Sequence, residues 1–386
     1  MPSAPLPRFL LLYGALFAAF GVASPFLPSL LAQRGLDPGD IGAVLAAGTA
    51  IRLASGPAAC RLADRLGLRR PVLALLTAVS AGVALGYLLP GGFLTFMLVG
   101  LVHAATLAPL VPLSDALSLG AAPGQFRYGW VRGAGSAAFV AGATGAGQVV
   151  GALGLPSIIV LNAGLLGLAA LAAVVVPNRV PDLAPDDAPG PGRRGGAVEL
   201  LRVPGFVRLM GVAALVLGSH ALHDGFEVLR WRSAGIGPGT AGLLWSEAVL
   251  AEVVVFVLCG GWLLQTLGSR GAALLAAGAG VLRWGVTALT AAVPAMVLTE
   301  PLHGLTFALL HLTCMKLIAE TVPAHLAATA QAVYGTVAVG AMSALLTLVS
   351  GQLYGAYGPG AFWAMAALCA TAMPLALGLR VPRQVA

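Results

Sequence analysis

The sequence predicts an all-α membrane protein, with twelve transmembrane helices in two pseudo-symmetric six-helix bundles. Three observations carry this expectation. Of the 386 residues, 59% are apolar and 9% are charged, where a soluble domain carries about 25% charged residues. The apolar residues gather into about twelve runs of roughly 18–27 residues, each long enough to cross ~30 Å of hydrocarbon at ~1.5 Å per residue. The two halves of the chain also echo one another at an offset of about 200 residues. Such a chain is neither disordered, nor a nucleic-acid module, nor an ordinary soluble enzyme.

The spans follow in order. Residues 7–32 form span 1: the run is too long for a signal-peptide core and lacks a small-residue cleavage pattern before Gln33. Span 2, 40–60, is entered through Gly35-Leu-Asp-Pro-Gly-Asp-Ile-Gly42 and left through Leu66-Gly-Leu-Arg69. Spans 3 and 4 cover 71–90 and 93–119. Span 5, 128–152, closes on Gly147-Gln-Val-Val-Gly-Ala-Leu-Gly154, and span 6 covers 156–177. A polar stretch rich in proline, glycine, Asp186, Asp187, Arg193 and Arg194 then divides the chain. It cannot pack a core. The expected division is therefore an N-terminal bundle, 1–177, a linker, 178–204, and a C-terminal bundle, 205–386.

Spans 7 to 12 cover 205–229, 239–264, 271–292, 295–319, 326–349 and 360–379. Here the echoes appear. Gly235-Ile-Gly-Pro-Gly-Thr-Ala-Gly242 enters span 8, Leu267-Gly-Ser-Arg270 follows it, His303 in span 10 matches His103 in span 4, and Gly351-Gln-Leu-Tyr-Gly-Ala-Tyr-Gly358 closes span 11. Four echoes in the same order indicate a duplicated six-span unit, whose parallel repeats place a solute path at the midplane.

The net charge is +7, from 21 basic and 14 acidic residues. With the N-terminus inside, cytoplasmic segments hold 14 of the 21 basic residues, and the outer segments hold Arg34, Arg230 and Arg232. The positive-inside rule then puts both termini and the linker in the cytoplasm. The four cysteines, Cys60, Cys259, Cys314 and Cys369, are far apart without metal or redox spacing, and read as helix packing.

The loop Ala63-Asp64-Arg65-Leu66-Gly67-Leu68-Arg69-Arg70-Pro71 resembles the signature loop of the major facilitator superfamily, with Cys60 where a glycine is usual. An acid at a helix end facing cations can latch two helices in one transporter state, so Asp64 and Arg65 are candidates for gating. Only the first copy carries the acid, since Gln265 stands at its place in the second. A narrower resemblance rests on Pro109 to Asp115, on Tyr128-Gly-Trp-Val-Arg132, and on Gly218-Ser-His220. It rests also on Trp245 through Glu252, on Arg283-Trp284, on His303-Gly-Leu-Thr306-Phe307 with His311, and on Gln331 to Tyr334. Together these are similar to the 3-phenylpropionic acid transporter family, related to lactose permease and the nucleoside–proton symporters. The resemblance runs from span 1 to span 12. It implies proton-coupled import of a small organic solute across a bacterial cytoplasmic membrane.

The intramembrane charges point the same way on physical grounds. An ionisable side chain at bilayer depth costs about 2.5–3.5 kcal/mol on insertion scales and is tolerated facing a cavity or a partner. Arg52 and Arg283 lie near the middle of spans 2 and 9; each either binds a substrate carboxylate or pairs with an acid such as Glu252. Glu252, at mid-depth in span 8, is the leading proton carrier, with His311 and His303 next. Glu300, His303 and His311 share one stripe of span 10. Asp115 and Arg132 flank the turn between spans 4 and 5 and read as a structural or gating salt bridge. Trp245 and Trp284 are deep enough to stack on an aromatic ligand; Trp231, Trp262 and Trp363 read as interfacial anchors.

Span 7 carries a second stripe, His220, His223, Asp224 and Glu227, at helical spacing. His220 belongs to the family pattern and is a candidate substrate contact. The other three, with Glu247 and Glu300, depart from that pattern. They read as pairing with Arg230 and Arg232 or as lining a wet entrance, and the two histidines and two acids of the span-7 stripe, His220, His223, Asp224 and Glu227, are a weak candidate for a divalent metal site. Three functions follow: a proton symporter importing a carboxylated or aromatic solute, a proton antiporter exporting a cationic or amphiphilic compound, and an intramembrane metalloenzyme. Phosphate-loop, G-x-S-x-G and H-E-x-x-H motifs are missing. The energy source is therefore expected to be a proton gradient, without a cofactor. The expected partners are a small-molecule solute and the bilayer, with no nucleic acid, in a monomer.

Overall fold

The structure is a computed structural model of the chain and describes residues 5–178, 196–203 and 205–379. Among the described residues every regular element is helical. Ten stretches are long and apolar enough to cross a membrane. Eight have the length of a single crossing: α1 (Pro5–Gln33), α2 (Pro38–Leu66), α3 (Arg69–Leu88), α4 (Phe93–Ala121), α5 (Tyr128–Leu153), α6 (Ser157–Val175), α7 (Phe206–Ser233) and α10 (Val293–Thr321). The other two, Pro238–Leu289 and Ala327–Leu377, run 52 and 51 residues. At ~1.5 Å per residue each is more than twice as long as ~30 Å of hydrocarbon requires. Each breaks at one glycine with positive φ, Gly268 (φ 65°) and Gly358 (φ 52°), which a residue with a Cβ adopts only at a cost. The breaks define α8 (238–267), α9 (269–289), α11 (327–357) and α12 (359–377), which is consistent with the twelve crossings expected from the sequence.

Local chemistry sets the ends. Asp37 accepts from the Asp40 N–H at 2.8 Å and Pro38 opens α2, an N-cap followed by proline in the first turn. Gly67, at φ 65°, ends it with its N–H on the carbonyls of Ala63 and Asp64. Pro109 divides α4 into Phe93–Leu107 and Leu110–Ala121. The expected linker, 178–204, lies mostly outside the described residues, as do Arg179, Arg193, Arg194, Arg380 and Arg383; within it Gly196–Leu200 forms a short helical segment.

The chain divides into two compact units, Met1–Ala188 with Trp231–Ser246, and Pro189–Arg230 with Glu247–Ala386. In the first, α1 is the centre, with Phe9, Leu12, Tyr13 and Leu16 fully buried. Backbones meet where side chains vanish: Gly21 faces the Phe139 carbonyl of α5 and Gly142 faces Ala18 of α1, the small-residue packing used where lipid offers no hydrophobic drive. Buried Asn162 of α6 donates to the Ala19 carbonyl at 2.9 Å. In the second unit α9 packs on α12, where Gly280 leaves room for Cys369. Here α8, α10 and α11 each contain a π-helical turn, at Val255–Cys259, Gly304–Leu309 and Tyr334–Ala341. Trp262 and Trp363 are exposed, as expected of anchors, but Trp231 is fully buried. It is therefore a core residue and not an interfacial one.

Gly21→Ala puts a methyl against the α5 backbone, whereas one at Gly14 meets nothing within 4 Å. Over-packing of this kind costs typically ~1–3 kcal/mol. Thermal unfolding of the detergent-solubilised chain should show Gly21→Ala clearly destabilised and Gly14→Ala unchanged.

Candidate functional site

The second unit holds a chain of polar contacts with no apolar gap. Arg283, on α9, is fully buried and donates from Nη2 to Glu300 Oε2 of α10 at 2.6 Å. Its Nη1 meets Nδ1 of His303 at 2.8 Å. A guanidinium only donates, so His303 Nδ1 is the acceptor and the ring proton sits on Nε2. That nitrogen therefore donates to Glu252 Oε1 of α8, at 2.5 Å. The order is Glu300–Arg283–His303–Glu252. The Glu300 and Arg283 ends are sealed, while the Glu252 side chain is 20% exposed. At the α8–α10 crossing a methyl on Gly304 would stand 2.6 Å from the Ala251 carbonyl oxygen, so glycine is what lets His303 reach Glu252.

Helix α7 closes the cluster. His223 Nε2 faces Glu300 Oε2 at 3.3 Å and its Nδ1 faces Asp224 Oδ1 at 3.2 Å; the imidazolium form donates to both. His220 Nδ1 lies 3.1 and 3.0 Å from the carbonyls of Val216 and Leu217, which accept, leaving Nε2 to accept from Thr306 Oγ1 at 2.9 Å. His220 also packs edge-on to Trp284 and His303, with centroids 5.4 and 4.9 Å away. The Trp284 ring lies 4.5 Å from the Arg283 guanidinium and its N–H donates to Ser219 Oγ at 2.8 Å.

These placements revise several sequence expectations. Arg283 is enclosed, and its partner is Glu300, with Glu252 reached only through His303; it presents nothing to a solute here. Trp284 is likewise fully buried, so its faces are spent on protein. The candidate metal stripe is not assembled: among the described residues no group of three or more His, Cys, Asp and Glu converges. His220 turns to Thr306, Glu227 is enclosed, and Asp224 is open, at 62%. His311 lies outside the chain of contacts, with Nδ1 at 3.0 Å from the Tyr334 hydroxyl. Lys316 faces Glu320 one turn on, at 3.8 Å.

In the first unit, Asp115 and Arg132 do not pair. Asp115 accepts from the hydroxyls of Tyr13 and Tyr128, the latter at 2.9 Å. Arg132 lies over the Phe17 ring, 4.7 Å from its centroid. Tyr13 gives no sequence signal inside its apolar run, whereas Tyr128 sits beside the motif that contains Arg132. Asp64 pairs with Arg69 Nε across the Gly67 turn, at 2.5 Å, and Arg65 is exposed. Arg52 is exposed on α2 and has no carboxylate within 4 Å among the described residues. Trp245, at 7% exposure, is nearly enclosed.

This helical membrane architecture, with a buried charge chain in one unit and, among the described residues, an arginine without a carboxylate partner in the other, can be set beside known proteins. Residues 6–365 match the MFS_1 like family. The chain belongs to that family. It is 35% identical over 373 residues, 94% of each chain, to the probable 3-phenylpropionic acid transporter of Escherichia coli strain K12. It is 27% identical over 380 residues to the maltose permease of Geobacillus stearothermophilus, covering 97% and 94% of the two chains. Among solved structures the nucleoside transporter NupG, in a point-mutant form, superposes with a TM-score of 0.85 at 17% identity over 97% of this chain and all of that one. The peptide transporter POT, also a point mutant, superposes with 0.71 at 16% identity, covering 98% and 93%. The protein is a multi-pass membrane transporter of the major facilitator type and not an enzyme.

Removing one partner of a buried ion pair costs ~3–5 kcal/mol, while replacing both with apolar groups can be near neutral. Glu300→Leu should therefore lower the thermal midpoint sharply, and Arg283→Leu with Glu300→Leu should recover much of it. Equal midpoints for the single and double variants would show that the two side chains do not depend on each other.

Proposed function

We propose that the protein is a proton-driven importer of a small organic carboxylate, working by alternating access in a bacterial cytoplasmic membrane with both termini inside. The observation that carries this reading is the chain Glu300–Arg283–His303–Glu252, sealed at one end and partly open at the other. A proton reaching Glu252 neutralises the acceptor that holds His303 Nε2. The hydrogen bond then drops from charge-assisted to neutral, roughly halving its strength. The α8–α10 crossing at Gly304 loses its polar clasp, and a local proton event biases the packing of two helices. Arg283 keeps His303 in the tautomer that makes this possible. Arg52, a membrane-depth cation without a counter-ion among the described residues, supplies the reason for an anionic solute, and the named function of the Escherichia coli relative supports an aromatic acid. The proton gradient is the energy source, no cofactor takes part, and a monomer in the bilayer suffices.

The open carboxylate of Asp224 favours a second reading, export of a cationic compound in exchange for protons. Proteoliposomes separate the two. With an inward proton gradient, labelled 3-phenylpropionate should accumulate in vesicles holding the wild-type protein. Glu252→Gln should still bind the acid but accumulate it only to the equilibrium level. Gradient-driven accumulation by Glu252→Gln equal to wild type would remove Glu252 from the coupling step. Proton-driven efflux of organic cations, without acid uptake, would establish the export reading.

A further inference from the structure

The internal repeat places unlike residues at like positions. The offset of 200 that relates His103 to His303 also relates Arg52 to Glu252. The corresponding helices meet in each unit, with a glycine at the contact. In the second, Gly304 of α10 packs on the backbone of α8 at Ala251. In the first, Gly48 of α2 faces Ala104 of α4, with 3.4 Å between its added methyl and the alanine Cβ. Val44, Gly48, Arg52 and Gly56 are spaced by four on α2, one ridge of the helix. Gly56 faces Ala108 and Val44 faces Gly100 along α4. Arg52 thus leaves the α2–α4 seam between two glycines that keep the helices close.

The two crossings differ in hydrogen bonding. His303 Nε2 finds Glu252 at 2.5 Å. His103, 5% exposed, has Nε2 buried with no hydrogen-bond partner among the described residues. Its repeat-related neighbour is a cation that cannot accept. Tyr87 of α3 completes the group: its ring meets the His103 ring edge-on with centroids 5.7 Å apart. Its hydroxyl would lie 3.5 Å from a methyl on Gly100. The Arg52 guanidinium lies within electrostatic reach of both Tyr87 and His103. Three groups that can donate gather at one seam with no carboxylate among the described residues: the guanidinium, the phenol and, with its proton on Nε2, the imidazole. A buried donor left unmade costs about 1–3 kcal/mol.

We infer that Arg52, His103 and Tyr87 form a carboxylate-binding subsite in the first unit, in which the carboxylate of the solute takes the place that Glu252 holds in the second. The carboxylate pairs with Arg52 and accepts from His103 Nε2 and the Tyr87 hydroxyl. The inference rests on the reading of the protein as a carboxylate transporter and names His103 and Tyr87 as specificity-determining residues.

Binding to the purified full-length chain tests it without transport. Acetate, benzoate and 3-phenylpropionate are titrated calorimetrically, each against its own amide. At least one acid should bind at least tenfold more tightly than its amide. His103→Phe and Tyr87→Phe should each weaken that acid about ten- to hundredfold, the loss expected for one hydrogen bond to a charged group. Arg52→Gln should abolish the preference over the amide. His103→Glu gives Arg52 an internal carboxylate, so acid binding should be lost while the thermal midpoint is kept or raised. That result also separates loss of the site from loss of fold. No preference of wild type for any acid, or unchanged affinity in His103→Phe and Tyr87→Phe, overturns the subsite. Acid preference lost in these variants, in a protein whose wild type never accumulates acid, keeps the subsite and removes the import reading.

Discussion

The contact between Arg283 and Glu300 holds the C-terminal half of this protein to its chemistry. Neither side chain touches solvent, so each is tolerable only because of the other. Once the pair is fixed, its consequences are forced by valence. The guanidinium has a donor left over and His303 Nδ1 is there to take it. The histidine proton is thereby driven to Nε2, and Nε2 reaches Glu252. A structural ion pair between α9 and α10 thus dictates the tautomer of a histidine and the orientation of a carboxyl on a third helix. Water could satisfy these groups individually in a soluble protein. In a bilayer the chain must satisfy them itself, or leave them for a ligand.

The architecture was legible because the bilayer imposes it. A run of apolar residues has a minimum length, and Gly35, Gly67, Gly235 and Gly358 stand at the ends of spans with positive φ. Even the uninterrupted stretches of 52 and 51 residues divide where the repeat pattern places an end. The candidate site was legible as an inventory but not as a wiring diagram. Arg283, Glu300, His303 and Glu252 all stood out as charges at depth. Which acid met Arg283 depended on the rotation of α8 and α10 about their axes, which hydropathy leaves free. The same freedom explains Asp115: two tyrosine hydroxyls, one from α1, reach it before Arg132 does. Trp231 reads as an interfacial anchor beside Arg230 and Arg232, yet the helix face it occupies turns inward, and it packs at zero exposure.

Gene duplication usually leaves two halves that do the same thing. Here the halves have diverged at one matched position with opposite charge, Arg52 against Glu252. The partner histidines did not change. An acid beside a histidine closes on itself, as the contact between Glu252 and His303 does. An arginine beside a histidine brings no carboxylate, and among the described residues His103 Nε2 finds no hydrogen-bond partner. One half therefore holds its histidine on a carboxylate of its own, and the other has no carboxylate at the matched place among the described residues.

For the proton-driven carboxylate import proposed above, that asymmetry is a physical basis for coupling. A carboxylate entering beside Arg52 and a proton arriving at Glu252 each neutralise one member of the matched pair. Either event alone leaves an uncompensated charge at bilayer depth, costing about 2.5–3.5 kcal/mol on insertion scales. Both together leave none. Two events that each relieve a charge, and that share one conformational change, are thermodynamically linked, and the linkage is reciprocal. The observed arrangement, a sealed Arg283–Glu300 pair behind Glu252 and, among the described residues, no acid pairing with Arg52, gives each half one charge to be neutralised rather than two. On the proposed reading, the balance is one proton with one monovalent carboxylate.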